Sequence, residues 1–184
     1  MNHRWLASVI AALALLAGAC GPSAGQVRAA RAARYRADGD QLFRAVVDAV
    51  RTRHEVVSAD ARAGVIRTKD RWYEQDGTFE DKKANAQGVI VEDGSLVMHY
   101  DVAVVLASPG EYQVVVTPVV AQIRNGYASP FKIAPDDLAM PGWVHGKTDL
   151  LVLAIHDALE RFQFAPPGAQ VSQVSVDRTG EVAR

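Results

Sequence analysis

The hydrophobic pattern divides the chain into an apolar leader, a basic stretch, and then helical and strand periods in turn. Trp5 to Gly18 is an almost unbroken apolar run of about 14 residues, short of the roughly 20 that a membrane-spanning helix needs. Further on, Leu42, Val46, Ala49 and Val50 recur at i, i+4, i+7 and i+8, which predicts a helix over Asp38 to Arg53 with a single apolar stripe. Asp38 and Gln41 have the spacing of a capping box, with Asp in place of Ser or Thr. A short strand is expected over Glu55 to Ser58, then a turn over Ala59 to Gly64. Val65 to Tyr73 has the period of a strand. Ile66, Thr68 and Trp72 are expected on one face of it, and Arg67, Lys69 and Arg71 on the other. Asp76-Gly77 opens a polar loop to about Gln87.

Beyond Gly88 the alternation strengthens. Val89 to Glu92 reads as a strand, and Asp93-Gly94 is a strong hairpin signal because both central residues must reach positive φ. The next strand runs to Ala107 and places Leu96, Met98, Tyr100, Val102, Val104 and Leu106 on one face. A three-residue loop at Pro109-Gly110-Glu111 would pair Leu106 with Val114 and Val104 with Val116. A two-residue loop would slip the apolar set to solvent. Pro118 cannot donate to a ladder, so its strand is expected at an edge or with a bulge. Arg124 to Gly142 reads as a long loop containing Tyr127, Phe131, Ile133 and Met140. Loops of that length are commonly functional, so these four residues are a candidate ligand or partner surface, with covering one end of the sheet as the alternative. Trp143 to Phe162 is the second helix, its stripe formed by Val144, Thr148, Leu151, Ile155, Ala158, Leu159 and Phe162.

The expected fold class is therefore α+β. It is an antiparallel β-sheet of about five strands with two helices packed on one face, in the order α-β-β-β-β-β-α. The other face, with Arg67, Lys69, His99 and Asp101, is expected to be largely solvated. Four segments follow: a signal at 1–19, a lipidated Cys and Arg/Ala-rich tether at 20–37, a single α+β domain at 38–164, and a polar tail at 165–184, with a stray edge strand possible at 171–176.

The leader has the anatomy of an export signal, with His3-Arg4 before the apolar run and small residues, Ala17-Gly18-Ala19, directly before Cys20. This resembles the bacterial lipobox, and departs from it in having Ala17 where the family usually has Leu, Val or Ile. The resemblance implies acyl chains on Cys20 and attachment to a membrane through them. Gly21 lacks the aspartate that retains such lipoproteins at the inner membrane, which implies an outer-membrane, lipid-anchored protein on the periplasmic face. The alternatives are an ordinary cleaved signal or an uncleaved anchor. Cys20 is the single cysteine, so an internal disulfide and a CxxC pair are both excluded.

The formal net charge of −1 argues against a nucleic-acid partner. Arg28, Arg31, Arg34 and Arg36 put four cations and no acid into a short stretch of the tether, which could rest on anionic headgroups or be simply a solvated linker or a frayed helix start. Arg67, Lys69 and Arg71 form a second candidate contact for an anionic surface, set against an ordinary solvated strand face. His145 and His156 lie on one side of the second helix but about 16 Å apart along it. Two zinc ligands must both lie within about 2.1 Å of the ion, so no metal site is expected. A G-x-S-x-G elbow and phosphate-cradling glycine loops are absent from the sequence. Asp136-Asp137 is more readily a turn cap than a glycosidase pair. No catalytic residues and no cofactor are assigned.

A helix followed by GVIRTKDRWYE (Gly64 to Glu74), then hairpins and a closing helix, is similar to the helix-grip domains of envelope lipoproteins, in particular the BamC-type accessory lipoproteins of the outer-membrane β-barrel assembly machine. That likeness covers about 11 residues and element order, and the chain lacks a second such domain. It implies a non-enzymatic binding or assembly factor in envelope biogenesis with an envelope protein partner. The alternatives are a lipid or lipopolysaccharide handling factor using Arg67, Lys69 and Arg71, and an envelope hydrolase built on His99 or His156.

Overall fold

A computed structural model describes residues 22–80, 93–127 and 129–164. The leader, Cys20 and the segments 81–92 and 165–184 lie outside the described residues, and with them the expected strands at 89–92 and 171–176. The described elements are α1 (Ala24–Ala32), α2 (Gly39–Arg51), β1 (Val56–Asp60), β2 (Val65–Thr68), β3 (Arg71–Tyr73), β4 (Phe79–Glu80), β5 (Leu96–Ser108), β6 (Glu111–Gln122), β7 (Phe131–Ile133) and α3 (Gly142–Ala158), closed by a 3₁₀ turn at Glu160–Phe162. The fold is α+β, an antiparallel sheet flanked by helices, with three helices rather than two among the described residues.

The additional helix comes from the stretch expected to be a tether. Ser23 and Gln26 make a complete capping box at its start, and the helix buries Val27 and Ala30. Arg31 pairs with Asp149 on α3 at 2.8 Å. The chain that follows is stitched into the sheet end: the Tyr35 and Tyr112 backbones exchange hydrogen bonds at 2.9 and 2.8 Å, and Arg36 N–H donates to Phe162 O. Arg36 also pairs with Glu111 at 2.7 Å. Two of the four tether arginines thus meet carboxylates of the domain. A small-residue, Arg-rich composition reads as linker, but a capped turn with two apolar positions on one side is enough to dock.

Helix α2 forms as its stripe predicts. Asp38 accepts from the Gln41 N–H at 3.1 Å, and Leu42, Val46 and Val50 are fully buried, each contributing about 1.5–3 kcal/mol by removal from water. They pack with Leu96, Met98, Tyr100 and Val102 of β5 and with Val144, Leu151 and Ile155 of α3. Long β5 is the centre of the sheet. β6 pairs along one side of it, and β2 and β3 along the other, while β1, β4 and β7 extend the sheet outward from β2, β3 and β6.

Three registers differ from expectation. Leu96 to Met98 are flanked by β3 on one side and β6 on the other, so the hairpin expected across Asp93-Gly94 has no free side of β5 to pair with. The β5–β6 hairpin pairs Val104 with Val114 and Leu106 with Tyr112. It turns through Pro109-Gly110, with Gly110 at φ 76°, and a register shift between Leu106 and Ser108 restores the face that a plain two-residue loop would have lost. Pro118 lies opposite Tyr100, where β7, paired only at 120–122, does not reach, so its missing N–H faces an edge.

The third difference bears on the site. Val65 to Tyr73 is two strands, because Arg67 pairs with Asp101 and Arg71 with Met98: four steps along the outer strand against three along β5. One extra residue at Lys69-Asp70 is a bulge, and it reverses the side-chain phase beyond it. Tyr73 rather than Trp72 enters the core, and Arg71 turns to the helix-covered face. The bulge leaves the Tyr100 N–H without a backbone partner on that side. The Thr68 hydroxyl, itself buried, accepts it at 2.8 Å.

Candidate functional site

The bulge disperses the expected cationic strand face. Arg67 makes two bonds to Asp101, at 2.8 and 3.1 Å, and this contact holds the Asp101 carboxyl below its usual range. Lys69 pairs with Glu55 at 2.8 Å. Both remain on the open face with their charge matched, whereas Arg71 has left it. On the same open face the His99 Nδ1 lies 2.7 Å from Asp70. His156, near the end of α3, has Nδ1 3.0 Å from the Tyr35 hydroxyl. The two histidines considered for catalysis therefore sit on opposite faces, each beside a different partner.

Arg71 arrives instead at a cleft of about 350 Å³, lined by Arg53, His54, Arg71, Tyr73, Tyr100, Lys147, Leu150 and Leu151. Each wall has a local cause. Arg53 and His54 follow the last turn of α2, and the His54 N–H donates to Val50 O at 2.9 Å. Arg71 and Tyr73 come from β3 by the bulge, Tyr100 from the middle of β5, and Lys147, Leu150 and Leu151 from α3. Arg71 Nη2 donates to the Arg53 carbonyl at 2.9 Å, which uses one of five guanidinium N–H groups and fixes the plane. Lys147 lies over the Tyr73 ring at 5.2 Å and over the Trp143 ring at 5.8 Å, contacts that orient the ammonium without cancelling its charge.

Three cations thus face one space, and among the described residues no carboxylate lines it. Among the described residues none of the three is in an ion pair. The field has a measure in His54, whose pKa is lowered to about 4 by burial first and then by Arg71, Arg53 and Lys147. The ring is neutral at pH 7 and packs edge-on against Tyr100 at 5.0 Å. Burial pushes the Tyr100 hydroxyl up to about 12, so it is a neutral donor. The hydroxyl is buried beside the Thr148 side chain, which offsets part of that rise. The carbonyl end of α2 does not attract anions; the positive character comes from the side chains alone. Such an arrangement can hold an anion but supplies no paired nucleophile and base among its lining residues.

The loop surface expected from Tyr127, Phe131, Ile133 and Met140 divides in two. Ile133 and Met140 belong to the core, because 131–133 form β7 on the outer side of β6. Tyr127 and Phe131 remain exposed, with Arg124 over the Phe131 ring at 4.3 Å, and Leu138 projects fully into solvent beside them in sequence. Sequence reading found Arg71 but on the wrong face, and missed Arg53, His54, Tyr73, Tyr100 and Lys147 as a group. The signal available was Lys69-Asp70, two adjacent polar residues that interrupt an apolar alternation in which Tyr73 would otherwise face solvent. No protein-family model matches this chain, and no curated protein is significantly similar to it.

Proposed function

We propose that this chain is a lipid-anchored lipoprotein of the outer membrane, facing the periplasm, which binds an anionic group in the cleft of Arg53, Arg71 and Lys147 and carries out no turnover. The anchoring part rests on Cys20 after its apolar leader. The binding part rests on one observation, the convergence of three cations from three elements on a space that no acidic side chain lines among the described residues. Like charges held together cost stability unless a counter-charge joins them, so the arrangement is explained by its occupant. Acyl chains on Cys20 would keep the domain at a bilayer, where anionic headgroups and glycans are concentrated.

The binding test is thermal unfolding of the full chain in neutral detergent against a panel of phosphate, sulfate, citrate and glucuronate. A ligand at about 100 times its Kd adds about 2.7 kcal/mol, a rise of several degrees in Tm. A rise with any anion that is lost in Arg71→Gln supports the reading; a flat panel sinks it. Metabolic labelling with palmitate, lost in Cys20→Ser, tests the anchor.

A second reading, an assembly factor that docks an envelope protein, is favoured by exposed Tyr127, Phe131 and Leu138. Deleting the loop would remove Ile133 and Met140 from the core. Tyr127→Ser with Phe131→Ser is the cleaner probe, and capture of the same envelope proteins by this variant and the wild type would end that reading.

A further inference from the structure

We infer that the group the cleft receives is a phosphomonoester, carried by a lipid headgroup or by a small soluble phosphate. The inference rests on the reading that the cleft binds an anion, and it names the chemistry of that anion. A carboxylate is planar, carries one charge, and is satisfied by one arginine fork from one side. Here the donors come from separate elements rather than from one. Arg53 stands just past the end of α2, Arg71 on β3 and Lys147 on α3. A tetrahedral oxyanion presents oxygens in each of those directions.

The balance of charge points the same way. Three cations with a neutral His54 leave two uncompensated charges around a carboxylate and one around a dianion, and a phosphomonoester approaches −2 near pH 7. Arg53 and Arg71 supply planar forks, and Lys147 supplies a point charge of the kind that phosphate sites use. Exposed Leu150 at the rim offers an apolar surface to whatever the phosphate is attached to.

The test is calorimetric titration of the full chain in neutral detergent with inorganic phosphate, glycerol 3-phosphate, citrate, and dihexanoyl phosphatidic acid. Dihexanoyl phosphatidylcholine, with the same chains and a phosphodiester, is the control for detergent partitioning. Inorganic phosphate and glycerol 3-phosphate are expected to bind and to compete with each other. Arg71→Gln and Lys147→Gln, on separate elements, should each weaken them about tenfold, the loss of one charge-assisted contact. Arg67→Gln, on the open face, should leave binding unchanged. Phosphatidic acid binding more tightly than glycerol 3-phosphate assigns the lipid source, and equal binding assigns the soluble one; both support the inference. Citrate binding in an Arg71-dependent way without phosphate binding overturns the ligand class and leaves the anion-binding reading standing. Phosphate binding that persists in both variants overturns the location, and absence of binding by every anion overturns both readings. Unchanged unfolding midpoints of the variants without ligand separate lost contacts from lost fold.

Discussion

His54 makes the cleft measurable without any ligand. Its folded pKa of about 4 lies below the unfolded value of 6.5. Above pH 6.5 both states carry a neutral ring and the residue contributes nothing. As pH falls below 6.5 the unfolded chain takes up a proton that the folded chain refuses, so stability declines until the folded ring protonates near pH 4. Full conversion of that gap would be about 3 kcal/mol. The ring is only partly buried and solvent screens the three cations, so the expected loss is about 2 kcal/mol. Urea unfolding of wild type and His54→Gln from pH 7.5 to 4 isolates this part, because carboxylates such as Asp101 and Glu111 titrate alike in both. Loss of the edge-on Tyr100 contact shifts the His54→Gln curve by a constant and leaves its slope unaffected. Wild type should lose about 2 kcal/mol more than the variant between pH 6.5 and 4, and Lys147→Gln should reduce the difference. Parallel curves for wild type and His54→Gln would refute the account of the cleft as a positively charged, partly dry site.

Thr68→Val removes the acceptor of the buried Tyr100 N–H and should cost about 1–3 kcal/mol in urea unfolding, while Thr68→Ser stays close to wild type. Gly64 has φ +67°, and a Cβ there would lie 2.6 Å from the Val104 carbonyl oxygen. Gly64→Ala should therefore lower stability by at least about 1–3 kcal/mol, the cost of a strained left-handed residue, read as a drop in Tm. Replacing Arg67 and Lys69 together by Ser should leave binding of dihexanoyl phosphatidic acid unchanged, since Asp101 and Glu55 already match their charge; Arg71→Ser should weaken it about tenfold.

Period and punctuation along the chain were enough to read α2, α3 and the long β5–β6 hairpin. The stripe Leu42, Val46, Ala49 and Val50, the capping Asp38, the alternation from Leu96 to Val102, and the edge position of Pro118 all follow from local spacing, and all appear in the fold. Such features are legible because each depends on neighbours within a turn of helix or along one strand. Register is different. Whether Lys69-Asp70 continues a strand or bulges depends on what β5 offers opposite it, and that single residue decides which face Arg71 and Tyr73 occupy. Helix α1 likewise forms from a stretch with little apolar content because α3 and β6 are there to receive Val27 and Ala30. Arg53, Arg71, Tyr100 and Lys147 are spread over nearly a hundred residues of chain, with no shared spacing to connect them. Only the crossing of α2, α3 and the β3–β5 pair brings them around one space. The α2 and α3 stripes, the β5 face and the core positions on them were thus determined locally by the sequence. The cleft was decided by tertiary structure, because a site built from four elements exists only where their packing closes it.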